Sequence, residues 1–367
     1  MKEITVLGAG MVGSAIAIDL SKDHEVTVCD ISEERLVKIS SGRKIITRQT
    51  DLSDEKQLRG AVADADIVVG AVPGFMGFRT LKTIIEEGKN VVDISFFDED
   101  PFILDELAKK NNVTAVVDCG VAPGLSNIIL GYHNSKMKID SFECYVGGLP
   151  VERKWPFEYK APFSPPDVIE EYTRPARIKV NGKIVTEPAL SDPEMIETVA
   201  GTLEAFNTDG LRSLLTTINI PDMKEKTLRY PGHIELMRIL RETGFFSKEE
   251  IDVDGKKIRP LVLSSKLLFP LWKLEEGEEE FTYLKIVIKG EGSEIEYSLY
   301  DKYDKATNTS SMARTTGYTC SAAVNLVLNG KYMRNGISPP EYIGSEENCF
   351  EEVIKYLAAR NIEITHK

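Results

Sequence analysis

The sequence predicts an α/β protein with a parallel-sheet domain, covered on both faces, and an α+β domain with a largely antiparallel sheet. Three observations carry this. Apolar, β-branched runs recur roughly every 20 to 25 residues up to about residue 120, with helical material between them. A glycine turn at 8–13 lies between the first run and the first helix. Beyond residue 140 the grain changes to longer alternating strands with tight turns. The 367 residues of the chain fit two domains.

Each element follows in order. Ile4–Leu7 is the first strand, and it runs into Gly8-Ala9-Gly10-Met11-Val12-Gly13 and a helix with small residues near its start. A glycine fingerprint between a strand and a helix is the context a Rossmann-type dinucleotide site requires. Gly8 permits the tight turn, Gly10 lets a pyrophosphate approach the backbone, and Gly13 lets helix and strand pack closely. The pyrophosphate would rest on N–H groups at the helix start, where Met11 and Val12 lie. The second strand, HEVTVCD, ends in Asp30, whose carboxylate can accept from an adenine-side ribose and repel a 2′-phosphate. The expected cofactor is therefore NAD. Arg35 lies on the helical side and reads as a surface residue.

The next strand ends, IITRQTDL, ADIVVGAVP and KNVVDIS, bring Asp51-Leu52, Val72-Pro73 and Ser95-Phe96 to the carboxyl edge, where open parallel sheets bind ligands. A helix is expected around Thr80–Glu87, and another over FILDELAKKNN. The strand VTAVVDCG ends in Asp118-Cys119-Gly120-Val121-Ala122-Pro123-Gly124. Asp118 there can hold a substrate ammonium, act as a base, or cap a helix beginning near Pro123. Cys119 reads as packing rather than as a nucleophile.

In the second half SFECYVGGLP is strand-like, and 155–175, rich in proline and aromatics, reads as an ordered loop. ARIKVNGKIVTEP is a hairpin turning at Asn181-Gly182, and EFTYLKIVIKGEGSEIEYSLYDKYD is a longer one. Helices are expected over MARTTGYTCSAAVNLVLNG and CFEEVIKYLAARNI, the last a surface helix.

Composition narrows the function classes. Asp plus Glu number 58 against 45 Lys plus Arg, a formal charge of −13, which disfavours a nucleic-acid partner. No apolar run approaches the roughly 18 residues that span a membrane, and no basic leader opens the chain, so a cytoplasmic protein is expected. Five scattered cysteines and four histidines without HxxxH spacing fit neither a disulfide framework nor a zinc site, and no metal is expected.

The glycine fingerprint with TDLSD, GAVPG, VVDIS, DCGVAPGLSN, RYPGH and MARTTGY resembles the saccharopine dehydrogenase-like family, and within it the lysine 6-dehydrogenase branch. The resemblance implies an NAD-binding Rossmann domain over 1–122, a substrate and oligomerisation domain over 123–310, and carboxy-terminal helices returning to the first domain over 311–367. It also implies a homodimer or higher homo-oligomer. By the same resemblance Ser95-Phe96 lies near the substrate, Arg212 holds a substrate carboxylate, and Asp118 occupies an acidic position. Tyr230 and His233 belong to the RYPGH element, and Arg314 to the ARTTGY element at the domain junction. Ala122 departs from saccharopine reductases, which carry an Asp there.

The implied chemistry is hydride loss from a carbon bearing a neutral amine, so an ammonium of pKa about 10.4 needs a base or desolvation. Asp118 is a candidate base for the amine, and His233 is a candidate base for imine hydrolysis, a pocket donor, or a loop histidine after Pro231-Gly232 that serves as a structural hydrogen bond. If the substrate is L-lysine oxidised at the ε carbon, the product aldehyde cyclises with its own α-amine. Saccharopine- or carboxynorspermidine-type reductases and a non-enzymatic NAD-binding protein are the alternatives.

Overall fold

The computed structural model describes residues 2–367, which divide into two compact units, 2–137 with 312–363, and 138–311 with 364–367. The first unit runs β1 (Glu3–Leu7), α1 (Met11–Leu20), β2 (Glu25–Asp30), α2 (Glu33–Ser40), β3 (Ile45–Gln49), α3 (Glu55–Val62), β4 (Ile67–Gly70), α4 (Gly74–Glu86), β5 (Asn90–Asp93), α5 (Asp105–Lys110), β6 (Thr114–Val116) and α6 (Leu125–Asn134). The second contains β7 (Ser141–Pro150), α7 (Pro165–Thr173), β8 (Ala176–Val180), β9 (Lys183–Glu187), β10 (Glu194–Thr198), β11 (Gly201–Asn207), α8 (Leu214–Thr217), β12 (Asp222–Arg229), α9 (His233–Glu242), β13 (Ile251–Val253), β14 (Lys256–Ile258), α10 (Pro260–Trp272), β15 (Glu280–Gly290) and β16 (Ser293–Lys302). The chain then continues through α11 (Ser311–Leu328), β17 (Gly336–Ser338), α12 (Pro340–Ser345) and α13 (Glu347–Ala358) to β18 (Ile364–His366).

The first unit is a seven-stranded sheet in the order β17-β6-β5-β4-β1-β2-β3, and every pairing in it is parallel. Its central strands read as apolar runs because both faces are covered, and all four residues of β4 are buried, whereas the edge strand β3 is mostly exposed. One face packs Leu7, Val68, Val91 and Val117 against Leu58, Val62, Leu81 and Ile84 of α3 and α4. The order reverses between β1 and β4, which makes their carboxyl ends the topological switch point.

Helix α4 starts at Gly74, six residues before the expected Thr80, because Gly74 and Gly77 weaken the helical signal there. Gly77 is needed by packing: a Cβ on it would lie 2.8 Å from Ser95 and 2.6 Å from Phe97. Helices α6 and α12 cross with backbones almost touching. A Cβ on Gly131 would come within 2.1 Å of the Glu341 carbonyl oxygen, and one on Gly344 within 2.0 Å of that of Ile128. Helix α11 lies against α1, with Gly317 facing Ile16. Beneath them Asp19, fully buried, accepts from Arg360 Nε at 2.8 Å and from the Tyr356 hydroxyl at 2.7 Å.

The second unit is a mixed sheet with the path β10-β11-β12-β7-β15-β16-β18, and the hairpin β8–β9 branches from β12. Its pairings are antiparallel except β12 with β7. Both expected hairpins are present, the first turning at Asn181 and Gly182 with φ of 49° and 78°. The proline- and aromatic-rich stretch is part loop and part helix, α7. Among the described residues no helix is long and apolar enough to cross a membrane.

Candidate active site

The glycine turn is built from backbone contacts. Gly8, at φ +110°, has no room for a side chain: a Cβ would lie 2.4 Å from the Ala71 carbonyl oxygen in the loop after β4. Gly13 is equally closed, 2.2 Å from the Gly8 carbonyl oxygen. Gly10 is different, because a Cβ there meets nothing within 4 Å. Gly10 is also the N-cap of α1 and supplies no side-chain cap to the N–H groups of the first turn, where Met11 and Val12 lie. Two glycines are explained by the protein and the third by what the protein leaves free. That cradle fits a pyrophosphate.

Asp30 is buried beside it. One carboxylate oxygen accepts from Ala9 N–H at 2.7 Å and the other from Ser32 N–H at 2.8 Å. The residue thus braces the glycine turn, and each oxygen keeps a lone pair for a further donor. Arg35 is mostly exposed, with a guanidinium nitrogen 3.9 Å from Asp30. Asp51 stands at the exit of β3, where its carboxylate accepts from the Ser53 hydroxyl and N–H, and these bonds hold its pKa below the usual range. Leu52 and Val72 are buried in the core, while Pro73 is exposed and caps α4.

The strand exits are laced in a row: Ala71 N–H to Leu7 carbonyl at 3.0 Å, Ile94 to Gly70 at 2.9 Å, and Cys119 to Asp93 at 3.0 Å. Three strand spacings therefore separate the exits of β1 and β6, about 14 Å along the edge. Ser95 is buried and Phe96 half-buried. Sequence reasoning misses Asp93, which fixes them: its carboxylate accepts from Ser95 N–H at 2.7 Å and from the Ser95 hydroxyl at 3.4 Å. Gly70 makes space for it, since a Cβ there would lie 1.8 Å from an Asp93 oxygen. The signal was a glycine ending one strand beside an aspartate ending the next.

Asp118 is buried and held at φ +54°, an uncommon conformation for a residue with a side chain. Helix α6 begins later than the capping alternative needs. Its N-cap is Gly124, and the Asn127 side chain accepts from Gly124 N–H at 3.2 Å. Capping therefore does not explain Asp118. Burial, with Asp118 and Asp93 nearby, pushes the Cys119 thiol far above its ordinary value, so it is no nucleophile. Arg314 lies on α11, buried, and donates to the Arg360 carbonyl at 3.1 Å.

In the second unit Arg212 is buried at φ +51° in the loop before α8. The Tyr230 hydroxyl donates to the Pro150 carbonyl at 2.8 Å. His233 corrects an expectation. Its Nδ1 donates to the Phe157 carbonyl at 2.9 Å, and its Nε2 accepts from the Tyr172 hydroxyl at 3.0 Å, which in turn accepts from Arg229 Nε at 3.0 Å. Burial, with the Arg229 guanidinium nearby, lowers its pKa to about 3. A neutral imidazole with both nitrogens engaged has no free site for a substrate proton, so the base role fails and a bracing role replaces it. Among the described residues, no three His, Cys, Asp or Glu side chains converge as metal ligands would.

Comparison with known proteins agrees with this architecture. Residues 4–116 match the saccharopine dehydrogenase NADP binding domain, and residues 120–362 match the saccharopine dehydrogenase C-terminal domain. The alpha-aminoadipic semialdehyde synthase of Arabidopsis thaliana is 31% identical over 271 residues, covering 67% of this chain and 24% of the relative. The saccharopine dehydrogenase [NADP(+), L-glutamate-forming] of Pyricularia oryzae is 27% identical, covering 68% of this chain and 59% of the relative. The matches thus span about a quarter and three fifths of those two curated relatives. The carboxyaminopropylagmatine dehydrogenase of Synechocystis is 20% identical and covers 92% of both chains. The apo saccharopine dehydrogenase (L-Glu forming) from Saccharomyces cerevisiae has the same fold, with a TM-score of 0.76 at 22% identity over 100% of this chain and 99% of that one. With both family domains matched in order along nearly its whole length, the chain belongs to the saccharopine dehydrogenase family.

Proposed function

We propose that this chain is a nicotinamide-dinucleotide-dependent dehydrogenase acting on a carbon–nitrogen bond of an amino acid. L-lysine at the ε carbon is the leading substrate, with the 6-semialdehyde as product. The observation that carries the reading is the open cradle at Gly10, flanked by glycines that are sterically closed. A bound nicotinamide would accept the hydride. The protein's part is to bind, orient and deprotonate. Asp118 is the group proposed to hold or deprotonate the amine, and Arg212 the group for the α-carboxylate. Both are buried and both sit at positive φ, a conformation that recurs where a site imposes its geometry. Ser95 and Phe96 line the substrate side, fixed by Asp93. Tyr230 and Arg314, with groups committed to backbone carbonyls, shape the surroundings.

NAD is the proposed cofactor, although the family domain is described as NADP-binding. The support is Asp30, whose carboxylate would face a 2′-phosphate, with Glu33 and Glu34 at the start of α2. A second reading, cleavage or formation of a secondary amine, is favoured by relatives named as saccharopine and carboxyaminopropylagmatine dehydrogenases. The experiment is a rate screen of NAD and NADP reduction with L-lysine, saccharopine and carboxyalkylated amines. Turnover of lysine with NAD supports the leading reading. Turnover of secondary amines alone moves the assignment to the second.

A further inference from the structure

Asp118 opens a loop that closes on itself before α6. Cys119 N–H donates to the Asp93 carbonyl and Gly120 N–H to the Pro123 carbonyl, both at 3.0 Å. Leu125 N–H returns to the Gly120 carbonyl at 2.9 Å, and Ser126 N–H to that of Val121 at 3.1 Å. Gly124, at φ +135°, comes so near Gly120 that a Cβ on it would lie 1.9 Å from the Gly120 carbonyl oxygen. A residue held at positive φ, as Asp118 is, persists only where its surroundings fix it. One fixing bond is backed by a distant segment. Asn127 is fully buried, and its side-chain oxygen accepts from Gly124 N–H at 3.2 Å and from the Ser126 hydroxyl at 3.1 Å. Its amide nitrogen therefore points the other way, and donates at 3.0 Å to the carboxylate of Glu341, also buried, 214 positions along the chain.

We propose that Glu341, acting through Asn127, is a positioning residue for the Asp118 loop, and through it for the amine of the substrate. The inference rests on the reading of Asp118 as the group that meets that amine. Burying a carboxylate is costly, and the close crossing of α6 and α12 at Gly131 and Gly344 does not need one to pack. The polarity runs one way, from backbone N–H to amide oxygen and from amide nitrogen to carboxylate, so an acceptor at 341 keeps the Asn127 oxygen turned toward Gly124. The loop is confined from α11 as well, since a Cβ on Gly120 would lie 3.3 Å from the Thr316 methyl. The carboxy-terminal return thus builds the surroundings of Asp118. A shift of about 1 Å at a reacting group costs on the order of 10²-fold in rate, so a bond this far from the substrate still reaches turnover.

The test pairs a rate with a probe of the loop. With L-lysine, or with saccharopine should that be the amine oxidised, Glu341→Ala should lower kcat by about 10–100-fold and leave dinucleotide affinity within about twofold. Glu341→Gln keeps an acceptor for the Asn127 amide and should hold kcat within about threefold of wild type. Asn127→Asp sets two carboxylates against each other and should lose as much as Glu341→Ala; adding Glu341→Gln gives the new carboxylate an amide donor and should restore the rate. Hydrogen exchange of the ligand-free protein, read by mass spectrometry over 118–127, should quicken at least about tenfold in Glu341→Ala and not in Glu341→Gln, whichever amine is the substrate. Unchanged exchange in Glu341→Ala would overturn the proposal, and so would a loosened loop with full kcat; a loss of thermal stability alone is what simple packing predicts. Asp118→Asn, run alongside, separates the two readings. If it loses turnover while Glu341→Ala does not, only the positioning role falls. If it turns over normally, the reading of Asp118 falls and the positioning role with it.

Discussion

Asp118 and His233 part company once their surroundings are known. The carboxylate of Asp118 lies at a strand end on the ligand-binding edge of the sheet, and the α6 cap is made by other residues. Asp118→Asn should therefore keep the fold and most dinucleotide affinity while turnover falls by about 10²–10⁴. The measurement is the pH dependence of kcat and kcat/KM, in which one limb should disappear; near-normal turnover with an unchanged profile would end the role. For His233 the folded pKa of about 3 lies below its unfolded value near 6.5. Below about 6.5 the unfolded chain takes up a proton that the folded chain refuses, so stability is lost as pH falls toward about 3. Measured by urea unfolding, the stability gap between wild type and His233→Gln should narrow by about 1.4 kcal/mol per pH unit below 6.5. A gap that does not change with pH would contradict the buried, neutral state. The sequence exposed RYPGH as a motif but not the Tyr172 and Phe157 partners, which lie 61 and 76 positions away.

Among the elements, the glycine turn makes the sharpest forecast. Gly8→Ala and Gly13→Ala push a methyl into backbone carbonyls, so both should lower stability by more than about 1 kcal/mol. Gly10→Ala adds a methyl to empty space and should fold normally yet bind dinucleotide at least tenfold more weakly. Thermal unfolding and titration calorimetry on the three variants check this, and a Gly10→Ala protein with undiminished affinity would contradict the cradle. The turn was legible because a strand, three glycines, a helix and an acid at the next strand end are all local. Helix α4 was only half legible, since two glycines mask its first turns for reasons that lie in Ser95 and Phe97. Strands β17 and β18 were not legible: each is three residues long and exists by pairing with a distant strand.

At the scale of the whole molecule, the parallel and antiparallel halves follow from two periodicities in the sequence. The carboxy-terminal return does not. It is secured in the first unit by Asp19, whose partners Tyr356 and Arg360 arrive more than 330 residues later. Arg360→Ala leaves the buried Asp19 carboxylate with the Tyr356 hydroxyl and the exposed Lys22 ammonium, at 3.0 Å, as its remaining partners and should cost about 1.5–3 kcal/mol in urea unfolding; a loss below about 0.5 kcal/mol would show that the contact is incidental. The family fold, the cradle and Asp118 together lead to one claim, oxidation of an amine-bearing carbon by a nicotinamide dinucleotide. The most direct measurement uses L-lysine deuterated at the ε carbon, with NAD and the purified chain, followed by mass spectrometry of the nucleotide. The account predicts deuterium on the reduced nicotinamide and an aldehyde-derived cyclic product. Unreduced NAD, with NADP and secondary amines also unreacted, would contradict it.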